Sequence, residues 1–276
     1  MTSLQAIVMA VLQGVTELFP ISSLGHAVIL PAILHWAVDQ KAADWLAYLV
    51  VMHLGTAIAL FIYFWRDWLA FILSLVSRSS ERVAADRRIF LMIVLATIPA
   101  AIIGLLLRKK LGEAFGTPSI AAIFLIVNGF ILFFGDKIGG KAVGTLDQLN
   151  WKGALAIGFA QASALIPGIS RSGATIVGGV VAGLQHKEAA RFSFLLGIPA
   201  IALAGFKEVW ELHKAHLDAH GWSVLAVGLA VASVSAFAAI WGLMRILERF
   251  SAWPFVIYRA VLGIGLLLAV GAGWLR

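Results

Sequence analysis

Within ten residues of the segment VLQGVTELFPISSLGHAVIL (residues 11–30) stand a carboxylate, two hydroxyls and an imidazole: Glu17, Ser22, Ser23 and His26. His26 follows Ser22 by four residues, Ser23 by three and Glu17 by nine. Imidazole is the side chain best suited to proton transfer or nucleophilic attack near neutral pH. A lone histidine on an apolar helix is more often a core residue, but a carboxylate and two hydroxyls in the same short segment favour a reactive group. A second segment, AQASALIPGISRSGATIVGG (residues 160–179), sets Arg171 among Gly168, Ser170, Ser172, Gly173 and Thr175. A guanidinium keeps its charge, so in apolar surroundings it must meet an anion. Glu17 as a structural bridge would serve, and so would an anionic ligand. The neighbours favour the ligand. Glycines leave backbone N–H groups free, the hydroxyls donate, and a helix is expected to start after Gly173, which together make a phosphate cradle with arginine as bidentate partner.

Both segments are embedded in apolar sequence. Of 276 residues, 61% are hydrophobic and 13% charged, against about 25% charged in a soluble domain; mean hydropathy is +0.96. Apolar blocks long enough to cross about 30 Å of hydrocarbon fall near 45–65, 89–107, 118–135, 192–211, 223–244 and 253–275. The chain therefore reads as an all-α, polytopic integral membrane protein, since open strand edges cannot sit in lipid. The longest polar connections are expected at 66–88 and 136–152, so no soluble domain is left over. With no cysteine there is no disulfide or thiol chemistry. The absence of Lys or Arg before Lys41 removes the basic start of a cleavable signal peptide. The net charge of +7 fits basic loops against anionic lipid and calls for no nucleic acid. Glu17, deep in an apolar run, costs several kcal/mol unless it is paired, wetted, or protonated as a structural group. His53 is a span residue without an evident role; His213, His216 and His220 are expected to face water. No H-E-x-x-H metal spacing and no glycine-rich phosphate loop occurs.

An offset of 148 residues places Gln13 over Gln161, Ser22 over Ser170 and Gly25 over Gly173. Each segment is followed by three candidate spans. The expectation is one transmembrane domain of two pseudo-repeats, 1–140 and 150–276. Each would hold one re-entrant helical hairpin and about three crossings, and an odd number of crossings inverts the second half. Loops 66–88, 136–152, 185–191 and 245–252 would share one face with twelve basic residues, against seven on the other. The richer face is expected to be cytoplasmic, although Arg108, Lys109 and Lys110 oppose the bias. Both termini and the mouth of the first hairpin then face outward.

At these residues the chain resembles a known family. QGVTELFPISSLGH resembles the motif (E/Q)G-x-TE-x-x-P-x-SS-x-GH, and PGISRSGAT the motif PG-x-SRS-x-x-T, of the bacterial undecaprenyl-diphosphate phosphatases. Motif order, length and a C-terminal PFVIYR (254–259) agree, so the resemblance spans the chain. It implies hydrolysis of undecaprenyl diphosphate to the monophosphate in the bacterial cytoplasmic membrane, recycling the lipid carrier of cell-wall polymers, with bacitracin resistance as a consequence. It also implies a divalent cation, Mg2+ or Ca2+, with Glu17 and then Gln13 as ligands. Carried onto matching positions, the catalytic residues are Glu17, Ser23, His26 and Arg171; the substrate-binding ones are Gln13, Ser22, Ser170, Ser172, Gly173 and Thr175. Gln13 replaces the glutamate of some members, which leaves one carboxylate for a metal. Leu24 replaces a common Ser or Thr.

Residues 13–26 would then supply the reacting half of the site and residues 168–175 the anion-binding half. Attack by serine, by histidine or by water all stay open. Expected partners are a polyprenyl diphosphate, membrane lipids and, for the chain itself, a second copy as homodimer. Two other readings compete. A type-2 phosphatidic acid phosphatase motif would need histidine where Val177 stands. A polyprenyl-phosphate flippase of inverted-repeat build would leave Ser23 and His26 unexplained.

Overall fold

The computed structural model describes residues 2–40, 42–78, 80–114, 117–139, 142–247 and 253–273. Among these the chain is helical, with no strand. The first stretch contains α1 (Ser3–Leu18), α2 (Ser23–Ile33), α3 (Ala43–Tyr63), α4 (Trp65–Val76), α5 (Glu81–Ala114) and α6 (Pro118–Gly139). After a 3-10 turn at Leu146–Gln148 come α7 (Trp151–Ser163), α8 (Arg171–Val181), α9 (His186–Lys214), α10 (Ala219–Leu247) and α11 (Trp253–Gly271). Helices α3, α5, α9, α10 and α11 are long and apolar enough to cross a bilayer, and α6 is apolar over Ser119–Gly135. This is a multi-pass membrane protein.

The two chemistry-bearing segments, like α4, are built of shorter helices. α1 has 16 residues and α2 has 11, about 24 Å and 16 Å at 1.5 Å per residue, so neither crosses the hydrocarbon alone. α7 and α8 are similarly short, at 13 and 11 residues. Within each pair the two helices pack on each other. Proline makes the breaks, Pro20 in one and Pro167 in the other, because it lacks an N–H and disfavours helix in the residue before it. Gly168 turns the second break at φ 98°, and a Cβ there would stand 2.4 Å from the Ala121 carbonyl oxygen, so only glycine fits. Ser22 takes the left-handed region at φ 72° without being glycine, which costs roughly 1 kcal/mol or more; its side chain has two uses, described below, that hold it there.

Most packing is between helices distant in sequence: α1 on α10, α7 on α5, α3 on α9 and α10, α6 on α11, and α8 on α6; α8 also packs on its neighbour α9. The hydrophobic core runs between them from Leu18 through Ile93, Ile157 and Phe192 to Leu243. One backbone tie joins the connection after α6 to the turn between α8 and α9: Gly144 N–H donates to Gly183 O, and Gln185 N–H to Gly144 O, both at 3.0 Å.

Several expectations are corrected. Residues 66–88 are not a polar connection: α4 fills 65–76 and α5 begins at Glu81. Charged residues at its start disguise α4, but it seats Phe71 and Ser74 inward while Leu69, Ile72 and Leu73 face out. Phe71, Trp68 and Phe90 form one aromatic group joining α4 to α5. Residues 186–191 open α9 rather than forming a loop, and α8 starts at Arg171 rather than after Gly173. The reason for the latter is capping by Ser170. Of the residues used for orientation, Lys41, Lys141, Arg249 and Arg276 lie outside the described residues.

Candidate active site

Ser22 and Ser170 are the N-caps of α2 and α8, and each does the same local work. Ser22 Oγ accepts the N–H of Gly25 at 3.2 Å, and Ser170 Oγ accepts that of Gly173 at 3.1 Å. A cap of this kind satisfies one of the free N–H groups that begin a helix and contributes about 1 kcal/mol. It also makes Gly173 the third residue inside α8. Ser22 Oγ reaches across to the Ile169 carbonyl at 3.4 Å, so the two breaks touch. Two helix N-termini, each with positive dipole character, thus meet at one place. That arrangement suits a multiply charged anion.

Glu17 is the hub beneath them. It is the next-to-last residue of α1 and is 6% exposed. Its Oε1 accepts from Arg171 Nε at 3.0 Å. Its Oε2 accepts from the Ser23 hydroxyl at 2.6 Å and from Gln13 Nε2 at 3.3 Å. Gln13 can do this because it sits four residues earlier on the same helix face. Arg171 lies against α9, where Gly197 makes room: a Cβ there would stand 2.5 Å from Nη1. Nη1 donates to the Ser193 carbonyl at 3.1 Å, while Nη2 is buried with no partner among the described residues. Of the two partners considered for Arg171, the structure shows Glu17 on one edge of the guanidinium, and Nη2 is a donor left over among the described residues.

The remaining binding candidates brace this arrangement. Ser172 Oγ donates to the Glu17 carbonyl at 3.1 Å and pairs with Ser170 Oγ at 3.1 Å. Thr175 Oγ1 donates to the Arg171 carbonyl at 2.7 Å and lies 2.5 Å from Ser193 Oγ. Glu17, Ser23, His53, Ser170 and Arg171 line a cavity of about 130 Å³, closed by Leu24, Ala164 and Ile169.

His26 stands apart from that cavity. Its Nδ1 is 2.6 Å from the Ser22 carbonyl and so carries the proton, while Nε2 accepts from the Tyr258 hydroxyl at 2.6 Å. The imidazole inside the cavity belongs to His53 on α3, which the sequence left without a role. His53 Nδ1 faces the Leu49 carbonyl at 2.7 Å, so Nε2 is the nitrogen free to exchange a proton. It lies 3.4 Å from Glu17 Oε2 and 3.5 Å from Ser23 Oγ. The available signal was its type alone: a polar side chain in the middle of a span is a functional candidate by default. Asn128, in the middle of α6, carried the same signal and accepts the Ser170 N–H at 3.0 Å.

Among the described residues no three His, Cys, Asp or Glu side chains converge. Among the described residues Glu17 is the one carboxylate lining the cavity, and both of its oxygens face N–H or O–H donors, one of them a guanidinium. Mg2+ and Ca2+ need several oxygen ligands.

A polytopic helical protein with a serine–carboxylate pair and an arginine under two helix N-termini is, as a class, a membrane enzyme or carrier for an anionic headgroup. Comparison with known proteins narrows this. The family model described as "Bacitracin resistance protein BacA" matches residues 6–265, and the chain belongs to that family. It is 49% identical over 269 residues to "Undecaprenyl-diphosphatase 2" of Mesorhizobium japonicum, covering 96% of this chain and all of that protein. It is 42% identical over 281 residues to "Undecaprenyl-diphosphatase" of Acidiphilium cryptum, covering 99% and 100%. To "Undecaprenyl-diphosphatase" of Gluconacetobacter diazotrophicus it is 45% identical over 274 residues, 95% of each.

Proposed function

We propose that this chain hydrolyses undecaprenyl diphosphate to undecaprenyl phosphate and inorganic phosphate. The observation that carries the reading is the Ser23 hydroxyl donating to Glu17 at 2.6 Å beside Arg171 and the two helix N-termini. Ser23 Oγ attacks the terminal phosphorus as Glu17 takes its proton. Undecaprenyl phosphate leaves, and water then cleaves the phosphoserine to free inorganic phosphate. Arg171 and the α8 amides hold the charge that develops on the phosphoryl oxygens. His53 Nε2 is placed to pass the proton on. His26 is the second proton-transfer group, available once the Tyr258 hydroxyl turns away from Nε2. A pure carrier would have no use for the Ser23–Glu17 contact. Purified protein should release phosphate from a polyprenyl diphosphate and Ser23→Ala should not; transport without release would sink the reading.

Any divalent cation is proposed to come on the diphosphate rather than on the protein. Mg2+ titrated into substrate-free protein should then give no saturable change in tryptophan fluorescence. A saturable change that Glu17→Gln abolishes would reinstate Glu17 as a ligand.

The reading includes two inverted repeats with re-entrant hairpins. Its support is that the 148-residue offset carries the first residues of α1 and α2 onto those of α7 and α8, and the last residue of α2 onto that of α8. The cross-packing of α1 on α10 and of α7 on α5 also exchanges the halves. The site is proposed to open outward, where wall polymerisation releases the diphosphate. Support comes from the excess of basic residues that the sequence assigns to the opposite face, part of which the structure places in α4 and the first turns of α5 and α9. A cysteine at Lys214 should react with an impermeant thiol reagent in intact cells, and one at Arg82 only after permeabilisation.

A further inference from the structure

Among the described residues Arg259 on α11 is the largest side chain that is wholly buried, at 0% exposure. A permanent cation at that depth needs a reason. It touches neither Glu17 nor the cavity. Instead Arg259 Nη1 donates to the side-chain oxygen of Asn128. That same oxygen accepts the N–H of Ser170, the cap of α8, at 3.0 Å. Gly173 leaves the room for this: a Cβ there would stand 3.1 Å from Arg259 Nη2 and 3.4 Å from Asn128 Oδ1.

The chemistry of the three groups makes the order of dependence clear. A carboxamide can turn over, exchanging its oxygen for an NH2. Turned over, Asn128 would aim donors at the Ser170 N–H, and the first turn of α8 would lose its hold. Asn128 Nδ2 has no partner among the described residues, so nothing on that side secures the amide. Arginine has only donors, so beside Asn128 it tolerates the oxygen and rejects the NH2. We infer that Arg259 is a positioning residue: through Asn128 it fixes the Ser170 N–H, and with it the α8 amides and Arg171, opposite Ser23. The inference rests on the phosphatase reading, and phosphate release by the unaltered protein tests that reading separately.

The experiment compares Asn128→Asp, Asn128→Leu, Arg259→Met and the Asn128→Leu/Arg259→Met double variant, measuring kcat and KM on a polyprenyl diphosphate together with the thermal melt. Asn128→Asp keeps an acceptor for both donors and should hold kcat within about threefold. Asn128→Leu has nearly the same volume and suits the apolar surroundings better, yet it should lose about tenfold or more in kcat with a smaller change in KM. A purely packing role reverses that order and overturns the inference. Arg259→Met should lose activity comparably, and the double variant should lose no more than Asn128→Leu alone, because both changes cut one chain of contacts. Losses that multiply would show Arg259 acting by itself, through Nε and Nη2, which also lack partners among the described residues, and would equally overturn it. If Arg259→Met does not yield folded protein, Arg259→Lys with and without Asn128→Leu makes the same comparison.

Discussion

The α1–α2 and α7–α8 pairs are built alike and loaded differently. Their helices share starting positions at one offset, both second helices are capped by serine onto a glycine, and Ile21 and Ile169 also coincide. The residue after the cap differs: it is Ser23 in one and Arg171 in the other. That first helical position points into the cavity in both cases. The first pair adds Glu17 where the second has Leu165, and His26 where it has Ala174. The two pairs thus share helix starts and caps, and differ in what they set at the cavity: a hydroxyl with its carboxylate in one and a cation in the other. The lesson is that backbone geometry, set by cap and proline, can be reused while the side chain at one position decides the role.

The strongest way to break this comparison is to equalise that position. Ser23→Ala should remove roughly 10⁴-fold or more of kcat, as deleting a nucleophile does, whereas Arg171→Ala should remove about 10³-fold. Arg171→Lys should recover only part, since a point charge replaces a planar fork. Equal residual rates for Ser23→Ala and the unaltered protein would end the serine assignment.

Next comes Glu17→Gln, expected to cost about 10²–10⁴-fold in rate by removing the base. It should also lower thermal stability, because Arg171 is left unpaired in a buried setting, which costs about 3–5 kcal/mol. Gln13→Glu should be tolerated. A stable, active Glu17→Gln with an inactive Gln13→Glu would exchange the two roles.

His26→Gln sharpens the difference further, with a loss of about 10²-fold expected. Tyr258→Phe, which frees Nε2, should leave kcat unchanged or raised. If Tyr258→Phe is as damaging as His26→Gln, the pair acts as a unit and the hydroxyl is not a mere occupant.

The smallest effects belong to what the two pairs share. Ser22→Ala and Ser170→Ala should each cost about 1 kcal/mol as lost caps, read as similar falls in melting temperature. A much larger fall for one would show that the shared scaffold is not equally relied upon.

Much of this was legible from residues alone. The span helices, both interrupted segments, the Ser22/Ser170 equivalence and the Glu17–Ser23–Arg171 group follow from hydropathy, proline and the two motifs. What escaped depended on three-dimensional neighbours. His53, Asn128 and Ser193 come from helices that no local spacing links to the motifs, so their proximity exists only after α3, α6 and α9 pack. His26 is near Ser23 in sequence, but its contact with Tyr258 on α11 exists only once α11 packs, so no local spacing announces it. α4 was hidden because its amphipathic pattern is short and begins with Arg66 and Asp67. Gly173 reads in sequence as the boundary of α8, but it lies inside the helix as the group that the serine cap binds.

The tie between Gly144 and the Gly183–Gln185 turn bears on how the polypeptide can be divided. The connector looks like a free hinge between repeats, yet its second part is stitched to the far end of the α7–α8 pair. A gene split to express two complementary fragments should therefore be cut ahead of Val143, so that the stitch stays within one fragment. A fluorescent protein inserted at Gly144 should disturb assembly more than the same insertion placed in the exposed residues around Ala215.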